Sequence, residues 1–266
     1  MNSSSGKLSG RTALITGGGQ GVGRGIARCL AQAGANVVIA QRNAEQGESE
    51  AKDLQDSFGV KASYIQTDVT KPEDIERMVA FTQETYGALD ILVNNAGGSR
   101  AKRLENTTDA DMERWFNVNY WGTFRAMRAA FPGMKSRGWG RIINLASLNG
   151  VNAHMYTAPY NASKEAVRAL SRTAAVEWGA HGITVNIICP AAATPASEAY
   201  FEANPEMLKK TLEEIPCRKL GNSERDVGPV AVFLASDDSA YLTGETFFVD
   251  GGAHINGVTW RPYIGD

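Results

Sequence analysis

Apolar and polar positions along the chain fall into two alternating patterns. Short, nearly continuous apolar runs recur: "RTALIT" (11–16), "NVVIAQ" (36–41), "KASYIQ" (61–66), "LDILVN" (89–94), "GRIINLA" (140–146), "ITVNIIC" (183–189) and "ETFFVD" (245–250). Runs of this length with apolar residues on both faces read as strands buried on both sides of a sheet. Between them, apolar residues recur at helical spacing in "GRGIARCLAQAGA" and at about 44–57, 72–86, 109–130, 159–179 and 224–235. Strands that alternate with helices predict right-handed βαβ units. The expected fold is therefore α/β: a Rossmann-like, doubly wound parallel sheet with helices on both faces.

No proline- or serine-rich linker and no repeat divides the chain, so residues 1–266 are read as one domain. One stretch breaks the alternation. Residues 189–215, "CPAAATPASEAYFEANPEMLKKTLEEI", carry three prolines and short amphipathic pieces after a strand. Open α/β sheets bind ligands beyond the carboxyl ends of their strands. The stretch is either a lid over a substrate or a surface insertion. The end of the chain, 253–266, holds Trp260, Tyr263 and Ile264. Such an aromatic tail is expected to dock at a subunit interface or over a site.

Composition narrows the function classes. The chain is 43% hydrophobic and 21% charged, with a formal net charge of -2. That balance argues against nucleic acid or an anionic membrane as a partner. No apolar run reaches the roughly 20 residues that span a bilayer. The N-terminal "MNSSSGKLSG" lacks an apolar signal segment, so the expected compartment is the cytoplasm. Cys29, Cys189 and Cys217 are widely spaced and read as buried free thiols. His154, His181 and His254 show no metal-ligand spacing, so no metal site is expected.

Candidate chemistry begins at "TGGGQGVGRG". Gly17, Gly19, Gly21 and Gly23 stand between the first strand and the first helix, where glycine lets the backbone turn and approach a ligand closely. The helix start offers free N–H groups to a pyrophosphate. Thr16-Gly17-x-x-x-Gly21-x-Gly23 resembles the TGxxxGxG signature of the short-chain dehydrogenase/reductase family. The resemblance runs over about residues 8–252: "NNAG" (94–97), Asn119 in "NVNYWG", Ser147 after "IINLA", Tyr160 and Lys164 in "YNASK", then "HGITVNIICP" and "FLASDDSAYLTGETFFVDGG". It implies a nicotinamide cofactor held by the glycine loop, with Gln20 and Val22 among its residues. It adds Asp68 and Val69 after the third strand, Asn95, Ala96 and Gly97 of "NNAG", and Tyr160, Lys164, Pro190 and Thr194.

The end of the second strand bears on which cofactor. An acidic residue there would bond a ribose 2′-OH and repel a 2′-phosphate. This chain has Gln41 and then Arg42, and a guanidinium suits a phosphate. NADP(H) is favoured. NAD(H) stays open, since Gln41 could bond a free hydroxyl.

Reduction of a ketone needs a proton for the developing alkoxide. A tyrosine with a free pKa of about 10 gives one more readily when a cation is near. Tyr160 and Lys164, four apart on a helix, share a face. Ser147, at a strand end, suits a hydrogen bond to the substrate oxygen. By resemblance, Asn119 supports the lysine and a water chain, and Lys164 holds the nicotinamide ribose. The catalytic candidates are thus Asn119, Ser147, Tyr160 and Lys164.

Two departures from the family's pattern stand out. Ala191 replaces a usual glycine after "ICP", and Thr194 comes one residue early. Substrate contacts are expected from Ser147, Asn149, His154, Tyr160, Ala191 and Tyr200. The reading is an NAD(P)(H)-dependent oxidoreductase that interconverts a secondary alcohol and a ketone, as a homodimer or homotetramer with a small-molecule carbonyl or alcohol substrate. The rivals are an NAD-dependent alcohol, sugar or steroid dehydrogenase, and a non-catalytic cofactor-binding sensor of the same fold.

Overall fold

The computed structural model describes residues 6–255, and at 195 and 196 the backbone only. In chain order the main elements begin with β1 (Thr12–Thr16), α1 (Gly21–Gln32), β2 (Asn36–Gln41), α2 (Ala44–Phe58), β3 (Ala62–Gln66), α3 (Pro72–Tyr86), β4 (Ile91–Asn94), α4 (Asp109–Phe116) and α5 (Gly122–Arg137). They continue with β5 (Gly140–Leu145), α6 (Leu148–Val151), α7 (Ala158–Trp178), β6 (Ile183–Pro190), α8 (Pro195–Ala203), α9 (Pro205–Glu214), α10 (Gly228–Ala235) and β7 (Thr246–Val249).

All seven strands are parallel, in the order β3-β2-β1-β4-β5-β6-β7. The order reverses between β1 and β4. Connections leave those two strands in opposite directions, and a crevice opens beyond their carboxyl ends. Both the glycine loop and "NNAG" end there.

The apolar runs are strands because both faces are covered. β1 and β4 are buried along their whole length. One layer packs Ile26, Leu30 and Leu54 against Ile15, Ile39 and Ile91. The other packs Met78, Met127 and Met134 against Leu14, Val38 and Leu92. Local signals set the helix ends. Asn43 caps α2 through its side chain, Thr108 and Asp111 form a reciprocal capping box on α4, and Gly138 closes α5 in the left-handed region at φ 66°.

The helix expected at 109–130 differs in two ways. It runs on to Arg137, past Pro132, and it is interrupted by a π-helical turn at Asn117–Trp121. Such single turns insert an extra residue and re-aim the side chains around them. The 189–215 excursion contains two helices, α8 and α9, rather than irregular chain. Of the three cysteines, Cys29 and Cys189 are buried as expected, but Cys217 is exposed. The tail residues Trp260, Tyr263 and Ile264 lie outside the described residues.

Candidate active site

The crevice at the strand reversal is a groove of about 550 Å³. Gly17, Gln20, Arg42, Val69 and the Ala96–Gly98 segment are among its walls. The glycine loop is shaped by close approach. A Cβ on Gly23 would lie 2.3 Å from Gly17 O and 2.4 Å from Asn95 Nδ2, inside any tolerable contact. Gly17 and Gly21 have φ of 67° and 53°, where glycine is favoured. The Thr16 hydroxyl accepts the backbone N–H groups of Asn95 and Ala96, both at 3.0 Å. Asn95 Nδ2 donates to Thr16 O at 2.9 Å and to Gly17 O at 3.1 Å. The loops after β1 and β4 are therefore one hydrogen-bonded unit.

The structure gives several of the expected residues partners of their own. Asn95 Nδ2 is committed to the loop and shapes the cradle. Val22 packs against the apolar core beneath α1. Gln41 is buried, and both ends of its amide are engaged: Oε1 accepts Gly19 N–H at 2.8 Å and Nε2 donates to Asn43 O at 2.9 Å. One lone pair on Oε1 and one hydrogen on Nε2 remain beyond these bonds. Asp68 Oδ1 accepts from Thr70 N–H and Thr70 Oγ1, at 3.0 and 2.7 Å, closing its own turn. Arg42 is exposed on the groove, and among the described residues no carboxylate pairs with its guanidinium.

The four candidate catalytic residues come from three elements. Ser147 follows β5, is buried, and caps α6 by accepting Asn149 N–H at 3.2 Å. Tyr160 and Lys164 lie on α7, and the lysine Nζ sits 5.6 Å from the phenol ring centre. Lys164 is buried and donates to Leu145 O at 2.7 Å. Asn119 is fully buried in the π-helical turn. Its Oδ1 accepts Gly98 N–H at 3.0 Å while Nδ2 donates to Gly98 O at 3.1 Å. A Cβ on Gly97 would lie 2.9 Å from Asn119 Oδ1 and 3.2 Å from Lys164 Nζ, so this glycine admits both.

Burial sets the electrostatics. It pushes the Tyr160 phenol above its ordinary range, and the hydrogen bond with Ser147 works in the opposite direction. The expected lowering by a neighbouring cation is not what dominates in the free protein. The reason is that Lys164 is itself desolvated, with its pKa brought down to about 8. Lys164 is thereby moved toward neutrality and the phenol away from it.

The substrate candidates divide. Ser147 and Tyr160 meet. Asn149 is half-buried beside them, but His154 and Tyr200 are exposed. Ala191 is tied by its backbone, donating to Val249 O at 2.9 Å and accepting Gly221 N–H at 3.1 Å. Pro190 ends β6 opposite Val249. Thr194 caps α8, and its Cγ2 lies 3.6 Å from a Cβ placed on Gly21. One residue early, it still borders the glycine loop. Trp115 is a groove residue missing from the expectations, its ring closing on Gly98. It stands four residues before Asn119 on the same helix, and that spacing was the available signal.

Fold and relatives together define an oxidoreductase of alcohol and carbonyl groups. A family model described as enoyl-(acyl carrier protein) reductase matches residues 17–254. The chain is 36% identical over 256 residues to a D-beta-hydroxybutyrate dehydrogenase of Rhizobium meliloti (strain 1021), covering 91% of this chain and 98% of that one. It is 35% identical over 254 residues to a 12alpha-hydroxysteroid dehydrogenase of Clostridium sp. (strain ATCC 29733 / VPI C48-50), covering 93% and 98%. The crystal structure of a gluconate 5-dehydrogenase from Burkholderia cenocepacia J2315, in complex with NADP and tartrate, superposes with a TM-score of 0.87 at 34% identity, covering 92% of this chain and 96% of that one. The chain belongs to the short-chain dehydrogenase/reductase family. Among the described residues, no helix is long and apolar enough to cross a membrane.

Proposed function

We propose that this protein is an NADP(H)-dependent oxidoreductase that interconverts a secondary alcohol and a ketone, running as a ketone reductase. The observation that carries the reading is the meeting of half-buried Tyr160 with buried Ser147 and Lys164 beside a glycine-lined groove. The groove fits a dinucleotide: the close approaches at Gly17 and Gly23 leave no room for side chains, and Arg42 offers an unpaired guanidinium where a 2′-phosphate would sit.

A nicotinamide cofactor, when bound, supplies the hydride that reaches the carbonyl carbon. The protein's own residues handle the oxygen. Ser147 and Tyr160 both donate hydrogen bonds to it and fix the carbonyl. As negative charge develops there, the Tyr160 phenol proton passes to that oxygen and gives the alcohol. Lys164 lies on the same helix turn and stabilises the phenolate left behind. With a pKa near 8 it exchanges protons readily near neutrality. Asn119 holds the Gly98 peptide that walls the site. Pro190 and Thr194 would border the cofactor, and 189–215 would cover the substrate. Small-molecule ketones and their alcohols are the substrate class, taken up by an oligomer of this chain.

The relatives named above are dehydrogenases of hydroxy acids, sugar acids and steroids, so the oxidative direction is the second reading. A panel of ketones with NADPH and of secondary alcohols with NADP and NAD, followed at the nicotinamide absorbance, tests both. Turnover of ketones with NADPH supports the proposal. Tight binding of NAD with no discrimination for NADP overturns the cofactor assignment. Full activity of Tyr160→Phe overturns the mechanism.

A further inference from the structure

We infer that Ser163 is a positioning residue for this site, acting through Asn119; the inference rests on the function proposed above. Ser163 lies between Tyr160 and Lys164 on α7 and is fully buried. Its hydroxyl donates its one proton to Tyr160 O at 2.9 Å. The oxygen is therefore left as an acceptor, and Asn119 Nδ2 donates to it at 3.0 Å.

That bond completes the partners of the Asn119 amide. Gly98 N–H can only donate and Gly98 O can only accept, so the amide pairs with them oxygen to N–H and nitrogen to carbonyl. The second hydrogen on Nδ2 then has Ser163 as its acceptor. Both donors and the acceptor of a fully buried amide are satisfied, and reversing the amide would put like against like at each contact. Ser163 thereby joins three elements. They are the helix that carries Tyr160 and Lys164, the π-helical turn that carries Asn119, and the Gly97–Gly98 segment that both Asn119 Oδ1 and Lys164 Nζ approach. Removing the hydroxyl leaves one Nδ2 hydrogen of a fully buried amide without its acceptor and loosens the wall against which the lysine is set.

α7 provides its own control. Ser171, two turns further along, is equally buried and has the same pattern: it donates to Val167 O at 2.7 Å and accepts an asparagine amide, that of Asn144, at 2.8 Å. It faces none of the candidate catalytic side chains.

The test is a double-mutant cycle with two readouts, turnover of a ketone and NADP binding followed by calorimetry. Ser163→Ala is expected to lower kcat about tenfold or more with ketone KM changed by less than about twofold, whereas Ser171→Ala changes kcat by less than about twofold. Asn119→Ala and the Ser163→Ala/Asn119→Ala pair are expected to match within about twofold, because a residue acting through another adds nothing once that other is gone. The same non-additivity is expected in NADP affinity. Equal effects of Ser163→Ala and Ser171→Ala in both readouts, or multiplying effects of Ser163 and Asn119, overturn the inference. If the wild-type protein reduces no ketone, the proposed function fails and the binding cycle alone decides the role of Ser163.

Discussion

Lys164 should make the protein less stable, and replacing it with methionine should reveal by how much. Its side chain is 4% exposed and its pKa stands at about 8 rather than 10.5, chiefly because burial disfavours the ammonium. A difference of roughly 2.5 units at about 1.36 kcal/mol per unit is a penalty of about 3 kcal/mol for keeping the lysine charged. Losing its hydrogen bond to Leu145 O offsets about 1 kcal/mol of that gain. Lys164→Met, close in volume, should therefore raise stability by about 2 kcal/mol at pH 7 while removing turnover. The sign with pH follows from the lowered folded-state value. Below pH 8 the folded and unfolded lysines are both charged and the penalty is complete. Between about pH 8 and 10.5 the folded lysine is already neutral while the unfolded one still holds its proton, so the penalty fades as pH rises. Urea unfolding of cofactor-free wild type and variant, at pH 7 and near pH 10, reads this directly. The gap in the variant's favour should shrink at the higher pH. Parallel stabilities across that range, or a wild type more stable at pH 7, would show that the ammonium is solvated or paired and refute the reasoning.

Tyr160→Phe should lower kcat by about 10²- to 10⁴-fold with little effect on NADP affinity, measured by steady-state kinetics and cofactor titration. Arg42→Ala should weaken NADP binding by about tenfold or more and leave NAD binding within about twofold, since only a 2′-phosphate gives the guanidinium a charge-assisted bond. Gly23→Ala should abolish binding of either dinucleotide and lower the melting temperature, because the added carbon lies 2.3 Å from Gly17 O. Calorimetry and thermal unfolding check the two halves of that expectation.

The strands were legible because parallel, doubly covered strands must be apolar on both sides. "NVVIAQ" is β2 residue for residue, and the other expected ends fall within two residues of those observed. The π-helical turn was not legible, since one inserted residue hardly disturbs a 3.6-residue apolar period. At the site, residue types that announce chemistry were found by their spacing, but their partners were not. Gln41 and Arg42 are neighbours in sequence, yet the first is tied to Gly19 and Asn43 while the second stands exposed on the groove. Asn95 and Val22 lie within cofactor motifs, and their side chains also tie down the loop and pack on the core. Such division of labour depends on which side of a strand end a residue faces and on what a distant loop brings to it. "YNASK" shows the same limit, because its serine gains a purpose only when Asn119 arrives from another helix.

Under the proposed function, the hydrogen bonds assign chemistry and selectivity to different parts of the chain. Thr16, Asn95 and Asn119 tie the loops after β1 and β4 to the sheet and to α7 through buried and half-buried hydrogen bonds. Those contacts hold backbone atoms, so they fix the cradle without reference to what the substrate carries beyond its reacting oxygen. Under the function proposed above, the segments that would recognise the rest of the substrate follow Ser147 and Pro190. There His154, Met155 and Tyr200 are exposed, and Ala153 and Tyr156 hold positive φ values of 51° and 68°. A tyrosine in that region costs about 1–3 kcal/mol and is kept only where its surroundings compel it. Here the compelling contact is Lys102 N–H to Tyr156 O at 2.8 Å, which binds the loop after β4 to the loop between Ser147 and Tyr160. Substitutions that alter specificity without loss of turnover are therefore expected in 149–156 and 191–215, whereas changes at Thr16, Asn95 or Asn119 should lower cofactor affinity and rate for every substrate alike.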